Sequence, residues 1–210
     1  MRSLTASTLL LVLLAGPALA DGARLTGLPA ALLSGDAAEG TQHEIPNQPA
    51  PTITAGPATI VLGQTRLGDL KDAFGGTLHH AGDGTVSADW LCYATGSGAK
   101  AQMIWFVSDG KAGGPSRAVT LVGANYTQPK PNCDQAPSIL PGLKMAAPGL
   151  GASESDLEQA FGTVAARNGM VAYLNQSAAM QGGATVFQSL NYLLDGETII
   201  GFAASQVTVE

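Results

Sequence analysis

One short phrase is written twice in this 210-residue chain, and that repetition constrains its architecture more than any single residue does. Leu62-Gly63 leads into Asp69-Leu70-Lys71-Asp72-Ala73-Phe74-Gly75, and Leu150-Gly151 leads into Asp156-Leu157-Glu158-Gln159-Ala160-Phe161-Gly162. Each copy then runs into alternating, partly aromatic segments and an Asp-Gly pair, Asp109-Gly110 and Asp195-Gly196. Self-similarity at a fixed spacing marks a duplicated supersecondary unit. The expected fold is therefore α+β: two tandem modules, each a short helical segment packed on a small antiparallel β-sheet.

The spacing within each copy supports that reading. Leu67, Leu70 and Phe74 recur at i, i+3, i+7, which places three large apolar side chains on one helical face. Thr65 is the expected N-cap, and Gly75-Gly76 ends the helix because glycine takes positive φ at little steric cost. In the second copy Ser153 caps the helix, with Asp156 in the capping-box position three residues on. Leu157 and Phe161 replace Leu70 and Phe74, and Gly162 stops the helix. Strands are expected at 86–94, 101–107 and 117–124, then at 170–176, 185–194 and 198–209. Leu78 to Gly84, which contains His79-His80, reads as a polar turn. Asp195-Gly196 suits a two-residue hairpin turn.

Five segments follow. Residues 1–20 read as a signal peptide: Arg2, then the apolar run Leu9 to Leu14, then the small-x-small site Ala18-Leu19-Ala20. Residues 21–57 are rich in Ala, Gly, Pro and Thr and are expected to form a largely disordered leader. The first module spans 58–127, a linker with five prolines spans 128–148, and the second module spans 149–210. Cys92 and Cys133 are an even pair in an exported chain, which argues for one disulfide. The expected location is periplasmic or secreted.

The net charge of −6 disfavours nucleic acid and anionic lipid as partners. No apolar stretch after the first twenty residues is long enough to span a bilayer as a helix.

The chemistry-bearing residue types are sparse. His79 and His80, with Asp83 and Asp89, form the one cluster with metal-ligand residue types, but structural zinc needs convergent ligands at defined spacing, and adjacent histidines on a glycine loop read as a solvated turn. No nucleophile elbow or Ser-x-x-Lys motif is present. No catalytic, cofactor or metal residues are assigned, and the chain is expected not to be an enzyme. Trp90, Tyr93 and Trp105 are the candidate interface, because an aromatic on an open sheet face makes a binding anchor. They belong to the first copy, which also carries Cys92, the cysteine expected to be stapled to Cys133 of the linker, and the insertion Lys111 to Ser116, so specificity is expected there.

The repeated phrase, with the Trp/Tyr-bearing strands, resembles the α+β module shared by small outer-membrane assembly lipoproteins (BamE-like) and the β-lactamase inhibitory proteins. The residues that carry the resemblance are Gly63, Thr65, Asp69, Leu70, Phe74, Gly75, Trp90 and Tyr93, then Gly151, Ser153, Asp156, Leu157, Phe161, Gly162 and Tyr173. It covers 58–210. The chain departs from the lipoproteins in lacking a cysteine at position 21, and from the inhibitors in having a single disulfide. The resemblance implies tandem modules whose sheet faces and loops dock another protein. The expectation is thus an exported, non-enzymatic binding protein with an unknown protein partner. The alternative is a binder of small molecules or cell-wall glycan that uses the aromatics of the first copy.

Overall fold

The structure is a computed structural model that describes residues 25, 27–34, 40–83, 86–98, 101–126, 133–162, 164–178 and 184–209. The expected signal segment lies outside the described residues. Three helices occur among them: α1 (Gly27–Ser34), α2 (Leu67–Phe74) and α3 (Glu154–Phe161). The strands are β1 (Thr41–Glu44), β2 (Ile53–Ala55), β3 (Ala58–Ile60), β4 (His79–Asp83), β5 (Val86–Thr95), β6 (Gln102–Asp109), β7 (Leu121–Tyr126), β8 (Asp134–Gln135), β9 (Leu143–Met145), β10 (Met170–Ala178), β11 (Thr185–Asp195) and β12 (Thr198–Val209).

The expected pair of α+β modules is not what forms. The described residues are mainly β, and one mixed nine-stranded sheet runs through both copies in the order β1-β10-β11-β12-β7-β6-β5-β4, with β8 paired to β5. The seam is β12 against β7, the last strand of each copy, antiparallel with Ala203 opposite Gly123. A separate three-stranded sheet would leave β7 and β12 with unpaired edges, and an exposed edge is a template for further pairing. Joining the two strands satisfies both. The helices are too short to define two α+β layers, and they dock on one shared sheet.

The hydrophobic core crosses the seam as well. Leu70, Phe74, Leu91 and Phe106 of the first copy and Leu157, Tyr173, Tyr192 and Phe202 of the second belong to one buried cluster. Strand alternation puts Leu91, Phe106, Tyr173, Tyr192 and Phe202 on one face of the sheet, and the helices bring Leu70, Phe74 and Leu157 to it. On that face α2 seats Phe74 against Phe106 and Tyr93, with ring centroids about 6.1 and 6.2 Å apart. At the equivalent place α3 stacks Phe161 on Tyr173 at 4.1 Å. A three-stranded sheet, β3-β2-β9, covers the same core with Ile53 and Ile60.

Residues 21–57, expected to be largely disordered, supply α1, β1 and β2 among those described. Their apolar content is low, but they borrow order from the sheet. β1 extends the edge by pairing in parallel with β10, Thr41 opposite Val171. Ile45 N–H donates to Leu174 O at 2.8 Å, and Ala50 N–H donates to the buried Gln188 Oε1 at 3.0 Å. The proline-rich linker likewise contributes β8 and β9.

Both repeated helices end where expected, on Gly75 (φ 73°) and Gly162 (φ 95°). Their starts differ. Ser153 and Asp156 form the complete capping box. At α2 the N-cap is Arg66, which gives no side-chain cap. Thr65, the expected cap, instead accepts from the Val61 N–H at 2.9 Å and holds the preceding turn. The stretch 78–84, read as a polar turn, contains β4, paired with β5 from His79–Trp90 to Asp83–Val86. In the β11–β12 hairpin Asp195 pairs with Thr198, so Gly196-Glu197 is the central pair, and Gly196 takes positive φ (58°).

Candidate functional site

The opposite face of the sheet holds the candidate site. Strand registers place its side chains in rows. One row crosses six strands as Ala172, Asn191, Ala203, Gly123, Trp105 and Cys92. The next contains Leu174, Ser189, Ser205 and Leu121, and the one beyond it Gln176, Phe187 and Val207.

The three sequence-predicted interface residues are all buried, and two of them share this face. Trp90 is 3% exposed, Tyr93 1% and Trp105 0%. Tyr93 points into the main core and donates its hydroxyl to Gly75 O at 2.6 Å, which ties the end of α2 to β5. Its role is structural, and burial followed by the Asp134 charge pushes its pKa up to about 12. Trp90 and Trp105 lie on the opposite face in a second cluster with Cys92, Met103, Val107 and Leu121, against which Leu25, Leu32 and Cys133 pack. The cover comes from Leu25 and from Leu32 of α1, both in the segment expected to be disordered, and from Cys133 of the linker. Almost no indole surface is left for a partner, so docking through Trp90, Tyr93 and Trp105 is corrected by their burial. The glycan reading that relied on the same aromatics loses its site.

Cys92 and Cys133 form the expected disulfide, with a sequence separation of 41. It pins the linker onto β5, beside the β8 pairing of Tyr93 with Asp134.

His79 and His80 diverge, as strand alternation requires. His79 stacks on Trp90 at 5.7 Å. His80 Nδ1 lies 2.9 Å from Asp89 Oδ1, and the Arg117 Nε–H donates to Asp89 Oδ2 at 3.1 Å. Among the described residues no group of three or more His, Cys, Asp or Glu side chains is placed to hold a metal ion. Asp83 is exposed at the end of β4.

The large apolar side chains that the strands of this face leave exposed lie in the second copy. Phe187 is 43% exposed, Val207 45% and Val209 51%. Phe187 and Val207 sit directly opposite each other, and Val209 follows two residues along on the same face. Leu33, at the end of α1, is 40% exposed. Two grooves flank this strip. One, of about 700 Å³, is lined by Glu44, Leu174, Phe187, Ser189, Ser205 and Val207. The other, of about 740 Å³, runs past Leu32, Leu33, Leu121, Ser205, Val207 and Val209. They share Ser205 and Val207 of β12, which stand between them. The first groove includes a hydroxyl pair, Ser189 Oγ to Ser205 Oγ at 2.7 Å, and Asn191 Nδ2 donates to Ser189 Oγ at 2.9 Å.

Sequence reasoning missed Phe187, Val207 and Val209. The alternation Val207-Thr208-Val209 shows that two valines share a face, but nothing local shows which face is left uncovered.

No family model, curated protein or solved structure matches the chain. Among the described residues no helix is long and apolar enough to cross a membrane.

Proposed function

We propose that this is an exported, non-enzymatic protein that docks another protein through the sheet face bearing Phe187, Val207 and Val209. The observation that carries the reading is the contiguity of these residues. Three half-exposed apolar side chains on adjacent strands line a groove system whose floor offers both apolar and hydroxyl groups. Isolated exposed apolar residues are ordinary, whereas a contiguous patch beside a groove marks an interaction surface. Docking by a sheet face is also what the resemblance to the β-lactamase inhibitory proteins implies, although the contact residues are in the second copy and not the first. Phe187 supplies the large ring on which such interfaces concentrate their binding energy.

Affinity purification from a periplasmic extract tests this. The wild-type protein should enrich a partner that a Phe187→Asp/Val207→Asp variant with an unchanged melting curve does not. Equal recovery by both proteins rules out this face.

A further inference from the structure

We propose that His80 is a pH-released clasp: as an imidazolium it fastens the edge strand β4 to the carboxylate of Asp89, and loss of its proton loosens that strand.

β4 ends the nine-stranded sheet, and β5 is its one strand neighbour among the described residues. It buries little, since His79 is half-buried and the other four side chains are exposed. Three contacts hold it: the backbone ladder from His79–Trp90 to Asp83–Val86, the stack of His79 on Trp90, and the His80 ring. That ring is engaged at both nitrogens. Its Nδ1 lies 2.9 Å from Asp89 Oδ1, and its Nε2 lies 2.9 Å from the carbonyl oxygen of Gly82. Both partners only accept. A neutral imidazole carries one N–H, so it satisfies one partner and turns a lone pair toward the other. The imidazolium donates to both, and its bond to the carboxylate is then charge-assisted.

Asp89 gives the clasp its direction. Its side chain is 13% exposed, and the Arg117 Nε–H donates to its other oxygen at 3.1 Å. Arginine keeps its charge at any pH a protein meets, whereas histidine changes charge between about pH 5 and 8. One carboxylate thus carries a permanent arm to the insertion after β6 and a releasable arm to β4. As pH rises the insertion stays fastened, and the edge strand lets go. On the sheet Asp89 is flanked by His80 on one side and Ser108, which does not titrate, on the other. His79 stacks on Trp90 at the opposite face. The remaining charged groups on adjoining elements are Asp83 on β4, Asp109 on β6, Lys111 in the insertion, and Arg66, Asp69, Lys71 and Asp72 along the groove that Arg117 borders. Release of β4 frees the edge of β5, and an unpaired strand edge is a template for further pairing.

Amide exchange in the full chain reads the clasp. After correction for the intrinsic rate, the β4 amides should exchange about threefold faster at about pH 7.5 than at about pH 5.5, the modest size that an exposed ion pair allows. His80→Gln keeps one donor and one acceptor but carries no charge. It should abolish the difference and leave β4 at the faster rate at both pH values. The variant retains His43 and His79, so a pH effect that survives it belongs to another group and overturns the proposal. The amides of Gly113 and Ala118, in the insertion that Arg117 ties down, should show no such change. Equal release there overturns the one-armed clasp. Ring-nitrogen NMR shifts of His80, assigned with the same variant, should follow the β4 exchange rates along one pH curve. A ring that titrates while β4 protection stays constant overturns the proposal too.

Discussion

On one face of a single sheet, the two copies have opposite fates. In the first, Trp90 and Trp105 are closed over by α1 and the disulfide-held linker. In the second, Phe187, Val207 and Val209 stand half in solvent beside the grooves. The aromatic content of the first copy is a sign of cover rather than of function. Large rings contribute the most when they are removed from water, so the richest patch is where a covering element gains most by settling. The surface available to a partner is what that element leaves uncovered.

The largest test of this contrast is truncation. Trp105→Ala, at a fully buried site, should cost about 3–5 kcal/mol in urea unfolding, whereas Phe187→Ala should cost under about 1 kcal/mol, since much of the ring is already in water. Similar losses at both positions would break the comparison. Next comes the staple that ties the first copy to the linker. Replacing Cys92 and Cys133 with serine should cost about 2–4 kcal/mol through the freed loop, read as a lowered urea midpoint. The unreduced wild-type chain should show no free thiol.

Alkaline titration weighs the shared core of both copies. Burial and then the Glu154 charge push the Tyr173 phenol up to about 12, in parallel with Tyr93. Tyr192 is raised as well, by burial and then by Tyr173, and donates its hydroxyl to Pro148 O at 2.8 Å. A folded pKa above the unfolded value means that the native state holds the proton more tightly. The tyrosine contribution is therefore complete below pH 10 and is lost as pH rises through about 12. Phenolate absorbance and loss of far-UV signal should appear together in that window. Phenolate forming in a chain with an intact far-UV spectrum would show that the rings are accessible. Tyr192→Phe should make the transition shallower in pH than Tyr93→Phe.

The smallest effects compare the two helix starts. Ser153→Ala removes a working capping box and should cost about 1 kcal/mol, while Arg66→Ser supplies a missing cap and should gain about 0.5–1 kcal/mol. Thermal melts would resolve both signs. Asp156, held below the usual carboxylate range chiefly by its hydrogen bonds with the Ser153 backbone and side chain, should lose its capping contribution as pH falls through that lowered value.

The features that could be read from sequence were those carried by neighbouring residues. Leu67, Leu70 and Phe74 declare a helical face because their spacing is a property of three adjacent turns. Ser153 and Asp156 cap because they reach each other locally. Strand β12 matches its expected limits because it alternates and follows a glycine turn. β4 was hidden because His79-His80-Ala81-Gly82-Asp83 has no apolar alternation; its order comes from β5 alongside. β1 and β2 were hidden for the same reason, since Thr41 to Glu44 becomes a strand by pairing with β10. The candidate site depended on a still more distant fact, that α1 lies over Gly123 and Gly201.

The sequence by itself determined that a short unit was written twice, that each copy begins with a glycine-stopped helix anchored by Leu and Phe, and that two cysteines were available to close a loop. Only the tertiary structure decided that the copies share one sheet and one core, that α1 and not water covers the tryptophans, and that the open apolar strip lies on the second copy. The physical reason is the range of the forces involved. Capping, periodicity and turn chemistry act over a few residues and leave a local mark. Strand-edge pairing and burial are settled between segments far apart in the chain, where the gain for one segment depends on which face another has already covered.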